Sequence, residues 1–500
     1  MATTELEYLR LPKYRRFGHK FANFIVSIPH AIVALIFAIG RFFRTFGQKV
    51  SEIFRNIVIT WKNGDYKTRI SFFIFGFGNL ARGQIGRGVL FLLFEVLFIV
   101  YMAFFGAGYL ANLGSLGTLD RIVDPDWGTT IQNPDNSFNI LLFGVLSIFF
   151  IVAFVVTWYY NIKQNKISQE ILATGKPLKS GKEDLQSLVD DQFHKTLLSL
   201  PLLGILIFTV LPVFFMILVA FTNYDGSHSY PTSRFWWVGF DNFAEVLNFG
   251  SGGKFASTFS ELLMWTLVWA FFATFTNYFL GMIVAMIINK KGIKLKKLWR
   301  TVLVISIAIP QFISLIYVGK MFEQNGFINR ILFDTLHWIQ KPLSIWDNEN
   351  PWVSRFTIIL VNIWVGIPYL MLITSGVLMN IPADLYESAK IDGASPVKMY
   401  FKITLPYMLF VTGPYLLSSF IGNMNNFNVI YLVNGGRPAM NDTAGHSDLL
   451  ITWLFKLTTG TEKDYKMASV IGILIFVVVA VISVVIYNII PSMKNEEDFQ

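Results

Sequence analysis

The chain has 500 residues, 54% of them hydrophobic, 16% aromatic and 15% charged, with a mean hydropathy of +0.52 and a formal net charge of +9. A soluble chain averages about 25% charged residues, so this composition describes an all-α polytopic membrane protein rather than a set of soluble domains. There is no cysteine, which excludes disulfides, thiolate metal sites and cysteine nucleophiles.

In chain order, the first twenty residues are polar and basic. No small-residue cleavage site follows a short apolar core, so a removable signal peptide is not expected. Residues 21–43 form an apolar run, but Lys13, Arg15, Arg16 and Lys20 precede it and Arg41, Arg44 and Lys49 follow it. Basic residues on both sides disfavour crossing. Residues 1–87 therefore read as an amphipathic, interfacial region, with a true span or a re-entrant pair as the alternative. The Gly-rich stretch from Phe75 to Gly88 reads as interfacial too.

A membrane helix needs about 20 mostly apolar residues. Eight runs qualify, over residues 88–110, 139–161, 197–221, 262–288, 301–321, 354–379, 405–431 and 468–490. Glu95 lies inside the first. With no acidic or His partner near it in sequence, helix packing or a snorkelling position suits it better than a proton relay. Between the second and third runs, Gly175-Lys176-Pro177-Leu178-Lys179-Ser180-Gly181-Lys182-Glu183 has neither the spacing nor the Ser/Thr of a phosphate-binding P-loop. ATP hydrolysis by this chain is not expected. The six His are scattered, and neither a metal-ligand cluster nor a Ser/His/Asp arrangement is suggested.

Charge sets the orientation. Of 41 Lys and Arg, 30 fall in residues 1–87, 162–196, 289–300, 380–404 and the tail, and nine in the alternating segments. Both termini are thereby expected in the cytoplasm, with Lys290, Lys291, Lys294, Lys296, Lys297 and Arg300 as the strongest anchor. The basic residues flank apolar runs instead of forming a soluble patch, so nucleic acid is not an expected partner. The outer loops, at roughly 30–40 residues, are too short for a large independent domain. Any soluble capture domain belongs to another protein.

Polar side chains within spans mark packing contacts or a pathway. The sixth run carries Asn362, Gly366 and Tyr369, and the seventh Ser419, Asn423 and Asn426, both at i, i+4, i+7. On one helix each triplet shares a face. The residues alone leave two readings open: hydrogen bonds between helices, or two stripes lining one cavity in which amides meet hydroxyls. Gln311 is a further candidate, and the preceding Pro310 is expected to kink the fifth span.

Between the sixth and seventh runs lies a polar island in an inner segment. Asn380 is an expected helix cap with Pro382 in the first turn. Asp392-Gly393 is expected to stop that helix, and Ser395-Pro396 to start another. Val397, Tyr400, Phe401 and Leu405 repeat at helical spacing. Two short helices at an angle serve equally as an amphipathic connector or as a docking device for a partner.

The order Glu387-Ser388-Ala389, three residues, Gly393, nine residues, Ile403-x-Leu405-Pro406 resembles the coupling motif of ABC importer permeases, with Ser388 in place of the usual Ala. Ala220-Phe221-Thr222-Asn223-Tyr224-Asp225, Phe240-Asp241-Asn242-Phe243 and Asn434-Gly435-Gly436-Arg437-Pro438 narrow the resemblance. It is closest to the larger, MalF-like permease subunit of maltose/maltodextrin-type importers, covering residues 195–490 well and 1–195 in outline. The large insertion after the third span in the best-known members is missing here.

The resemblance implies about eight spans with a six-helix permease core. It divides the chain into an interfacial region (1–87), an extra hairpin and basic loop (88–195), a permease core (196–491) containing the coupling loop 380–406, and a tail (492–500). It implies that Glu387, Ser388, Ala389, Asp392, Gly393, Ile403 and Pro406 belong to a loop fitting a cleft on a cytoplasmic ATPase. It places Asn362, Gly366, Tyr369, Ser419, Asn423 and Asn426 in a sugar site. The implied partners are a shorter MalG-like permease, two ATPase subunits that bind ATP–Mg, an extracellular sugar-binding (lipo)protein, an oligosaccharide and the lipid of a bacterial plasma membrane. No cofactor is expected in this chain itself. A secondary transporter, a permease for a non-sugar solute and a membrane scaffold without transport are the competing readings. The first needs internal repeats and an acidic or ion-binding constellation, of which Glu95 is the sole hint.

Overall fold

The computed structural model describes residues 37, 40, 41, 43–248, 253–290, 292–461 and 463–489. Most of the apolar run at 21–43 and the tail at 492–500 lie outside the described residues. The described residues divide into two compact units, one within 37–243 and 461–469 and one within 244–460 and 470–489. Among the described residues six helices are long and apolar enough to cross a membrane unbroken, and two bent helix pairs bring the count to eight.

The first unit holds three of these: Ile85–Asn112 (α1), Ser137–Ala173 (α2) and Phe193–Val219 (α3). A small hairpin of Ile122–Val123 (β1) and Thr130–Gln132 (β2) lies between α1 and α2. The segment from Phe75 to Gly88 packs against α1 and α2, with Phe75 buried. Its turns expose backbone N–H groups that no helix satisfies, and buried backbone must find partners. Side chains of α1 and α2 supply them. Glu95 Oε2 accepts from Phe75 N at 2.9 Å, and Asn161 Oδ1 accepts from Gly76 N at 2.9 Å. Asn161 Nδ2 donates to the Ser71 carbonyl at 2.7 Å. Glu95 is thus used in packing, as its lack of sequence partners suggests.

The second unit contains Lys254–Asn289 (α4), the pair Lys296–Ala308 (α5) and Gln311–Met321 (α6), and Pro351–Leu378 (α7). It continues with Ala383–Ile391 (α8), the long segment Pro396–Val411 (α9), Gly413–Met424 (α10), Phe427–Asn434 (α11) and Leu450–Thr459 (α12). The last helix, Tyr465–Ile489 (α13), follows. A buried cluster of Trp265, Trp269, Leu315, Trp346, Ile358 and Ile430 holds α4, α6, α7 and α11 together.

The fifth and seventh runs are not the single helices expected from their hydrophobicity. Proline disfavours the helical conformation in the residue before it. Ile309 is accordingly extended (φ −81°, ψ 129°), and α5 and α6 meet at 91°. Pro310 breaks the span where a kink was expected. In the seventh run Pro414, at the second position of α10, has no N–H to continue the ladder from α9. The chain bends by 63° there.

Candidate functional site

The polar island folds as two helices. Pro382 occupies the cap position of α8, not Asn380, so the helix starts three residues later than its expected cap. At its far end Gly393 N donates to the Lys390 carbonyl at 3.0 Å and Ala394 N to the Ala389 carbonyl at 2.9 Å. This double closure is the Schellman arrangement, and it needs a left-handed residue at its centre. Gly393 supplies it with φ +72°. Ser395 Oγ then accepts from Lys398 N at 3.3 Å and Pro396 fills the first position of α9. Pro406 offers no N–H to Lys402, and the turn Tyr400–Thr404 widens to π geometry just ahead of it.

One bond across the corner fixes the angle of the two helices, between the Tyr386 hydroxyl and Thr404 Oγ1 at 2.8 Å. Glu387, Ser388, Asp392, Gly393 and Pro406 are exposed, and Ala389 and Ile403 are half-buried. Around them Leu385, Ile391, Val397 and Phe401 are also exposed, Ile391 at 87%. Among the described residues nothing covers this apolar, close-approach surface.

The two stripes occupy the second unit. On α7, Asn362 is buried at 5% exposure, Gly366 is half-buried and Tyr369 is open at 52%. Tyr369 and Gln311 line one cavity of about 320 Å³, with Ser306, Pro310, Ser314 and Trp364. The cavity opens where α5 and α6 break, and interrupted helices are tolerated at membrane depth where they line such a space. On α10, Ser419 and Tyr415 are both half-buried and lie one turn apart on the same face.

Asn426 does not share a helix face with Ser419 and Asn423. The helix stops at Met424, and Asn426 caps α11, accepting from Val429 N at 3.2 Å. Asn426 Nδ2 reaches Asn423 Oδ1 at 3.3 Å, and Asn423 Nδ2 donates to Thr274 Oγ1 of α4 at 3.0 Å. The two amides therefore remain neighbours in a bonded chain that ends on the Thr274 hydroxyl.

Thr274, Asn277, Trp364 and Tyr415 join the site without having been singled out in the sequence. For the two on α4 a signal exists: Thr266, Thr274 and Asn277 recur at helical spacing within an apolar run, and all three are buried. Asn277 packs against Gly366 so tightly that a β-carbon there would lie 2.2 Å from Asn277 Nδ2. Taken together, the unit presents amides, hydroxyls and aromatic faces, the groups that bind neutral polyhydroxylated solutes. Among the described residues there is no cluster of three or more acidic or His side chains able to hold a metal ion.

The other singled-out motifs build the loops that follow α3 and α11. Asn242 Nδ2 donates to the Ala220 and Thr222 carbonyls at 2.9 and 2.7 Å, tying down the end of α3. Burial would raise the Asp225 carboxyl, but Lys466 at 2.6 Å, with Ser227 and His228, holds it well below the usual range. Arg437, 2.6 Å from Glu323, is the main reason that carboxyl is lowered. Asp448 is raised by burial, against the opposing Lys456 ammonium at 2.5 Å.

Residues 277–494 match the family described as "Binding-protein-dependent transport system inner membrane component". The chain is 32% identical over 428 residues to the maltodextrin transport system permease protein MdxF of Bacillus subtilis (strain 168), covering 84% of this chain and 95% of that one. It is 35% identical over 424 residues to the galactooligosaccharides transport system permease protein GanP of the same organism, covering 84% and 96%. To the maltose/maltodextrin permease MalF of Escherichia coli (strain K12) it is 34% identical over 254 residues, half of this chain and 48% of that one. With such identity across nearly the whole of two relatives, and a multi-pass helical architecture to match, this chain belongs to the binding-protein-dependent transport family as a membrane permease subunit.

Proposed function

We propose that this chain is the larger permease subunit of an ATP-driven importer for oligosaccharides of the maltodextrin or galactooligosaccharide kind. Its relatives carry those substrate names along 84% of its length. The observation that carries the reading is the pairing, in one unit, of an amide- and aromatic-lined cavity with an exposed helix–turn–helix. Asn362, Gly366, Tyr369, Ser419, Asn423, Asn426 and Gln311 form the solute path in this reading. The loop at Glu387, Ser388, Ala389, Asp392, Gly393, Ile403 and Pro406 presses into a cytoplasmic ATPase, which binds ATP–Mg in place of this chain. Closure of the ATPase pair moves the loop, and the loop moves the broken helices on either side of it. A second, shorter permease completes the pathway, and an extracellular binding protein delivers the sugar. Both termini face the cytoplasm, where the basic loops are retained.

The test is reconstitution. The chain is co-expressed with its neighbouring permease and ATPase genes, purified by a tag on this chain, and placed in proteoliposomes with the binding protein. ATP-dependent accumulation of labelled maltotriose or galactotriose is expected. An assembly that never contains an ATPase, or that moves neither sugar, overturns the reading.

A further inference from the structure

Two buried amide atoms in the second unit lack hydrogen-bond partners: Asn277 Oδ1 on α4 and Asn362 Nδ2 on α7. The side chains are 6% and 5% exposed. Buried polar atoms are almost always paired, because the desolvation they suffer is otherwise uncompensated. These two do not pair with one another. One is an acceptor and the other a donor.

Their placement is constrained by α4 packing on α7. The Asn277 amide lies against Gly366, and one turn further along each helix Gly281 meets Leu370. The two helices thus run side by side in the same direction, in step. Asn362 is one turn before Gly366 on the same face of α7. The unpaired donor and the unpaired acceptor are therefore within about one helical turn of each other. Thr274, one turn before Asn277, receives the Asn423 amide at 3.0 Å. The pair consequently adjoins the α10 amides and is separate from the lipid-facing surface.

We propose that Asn277 is a solute-contacting residue, and that its side-chain carbonyl and the amide N–H of Asn362 together hold one hydroxyl of the passing oligosaccharide. A hydroxyl donates one hydrogen bond and accepts others, which is what this donor–acceptor pair lacks. A thiol or an apolar group leaves both atoms unpaired, and a carboxylate has no proton for Oδ1. The pair therefore selects a neutral hydroxyl. Gly366 is required because a side chain there would push the Asn277 amide out of position. The inference rests on the oligosaccharide reading above and adds to it a residue of α4.

The test uses the complete importer in proteoliposomes with its binding protein and labelled maltotriose or galactotriose. Asn277→Leu and Asn362→Leu keep the branched outline of the side chain and remove hydrogen bonding. Each is expected to lower transport at sub-saturating sugar about tenfold. Because both groups serve one hydroxyl, the double variant should be no slower than the slower single variant. Asn277→Ala serves as a second probe should the leucine prevent assembly. Melting temperature and yield of the assembled importer are followed in parallel. Wild-type rates in both Asn277 variants, multiplying losses in the double variant, or a loss confined to melting temperature and yield would each overturn the proposal. Should the wild-type importer assemble yet move neither sugar, the oligosaccharide reading itself fails and the proposal fails with it. Should sugar be moved while the Asn277 variants stay unaffected, only the role of Asn277 is lost.

Discussion

Arg355 and Glu261 form an ion pair at 3.0 Å between α7 and α4, with the guanidinium 4.8 and 5.2 Å from the rings of Trp265 and Trp352, which meet edge to face. The same guanidinium donates twice to the His446 carbonyl, at 2.9 and 2.6 Å. The partners are unequally buried, the Arg355 side chain being 8% exposed and that of Glu261 40%. Losing the arginine strands the half-buried His446 carbonyl and removes both cation–π contacts, whereas losing the carboxylate leaves these intact. Arg355→Leu is expected to cost about 2–3 kcal/mol, below the usual figure for a broken buried pair because Glu261 can rehydrate. Glu261→Gln should cost less than half of that. Thermal midpoints of the detergent-solubilised chain decide it, and an equal loss in both variants would refute the argument.

At the outer end of the first unit, Asp225 bonds Lys466, Ser227 and His228 and its carboxyl is lowered. A carboxyl lowered in the folded state stabilises it above the unfolded value, and the contribution fades as pH falls from there through the folded value. Its ordinary value is 3.8. The gap in melting temperature between wild type and Asp225→Asn should therefore be constant from about pH 8 to pH 5 and close only in stronger acid. A gap that already closes between pH 7 and 5 would refute the carboxylate as the source of this stability.

Gly393 stands at φ +72° with open space where a β-carbon would go. A substitution there meets backbone strain and no clash inside the chain. Asn tolerates this conformation better than Val, so Gly393→Asn should keep the fold and Gly393→Val should lose about 1 kcal/mol. If an ATPase surface approaches the bare backbone, both variants lose ATPase recovery on purification, and Gly393→Asp does too. Recovery of the ATPase with Gly393→Asn but not with Gly393→Val would make the glycine a matter of turn geometry alone.

Hydrophobic run length made the helical spans legible, and the Asp392-Gly393 and Ser395-Pro396 signals made the corner between α8 and α9 legible. These are local properties, fixed by a few neighbouring side chains. The Pro310 break was half legible: proline announced a disturbance, but its 91° size depends on how α5 and α6 pack. The Asn426 cap was hidden because Asn423 and Asn426 keep helical spacing across a helix that stops between them. Asn277 was hidden for another reason. Its weight comes from lying against Gly366, 89 positions further on, and only the packing of α4 on α7 brings the two together.

Asn426 caps α11, and the proposed solute contact of its amide can be separated from that cap. Ser caps about as well as Asn, whereas Ala forfeits about 1 kcal/mol. Asn426→Ser should therefore melt like wild type, and Asn426→Ala should melt lower. If the amide also contacts the sugar, both variants weaken sugar-dependent transport to a similar degree. Transport that follows melting temperature, normal in the Ser variant and impaired in the Ala variant, would reduce Asn426 to its cap.

Gly366 supplies the sharpest packing test. Its missing side chain is filled by the Asn277 amide, with Nδ2 2.2 Å and Cγ 2.6 Å from where a β-carbon would be. The obstacle is a short, buried side chain on a neighbouring helix, with little freedom to withdraw. Forcing a methyl group into such a space typically costs 1–3 kcal/mol, so Gly366→Ala should lower the melting temperature clearly. Asn277→Ala removes the obstacle, and the double variant should recover most of the loss, giving a favourable coupling of about 1 kcal/mol or more. Residues that merely lie in the same unit without touching add independently, so an additive double variant would contradict the contact. Recovery of stability without recovery of sugar transport is the expected combined outcome, because the repaired packing lacks the amide.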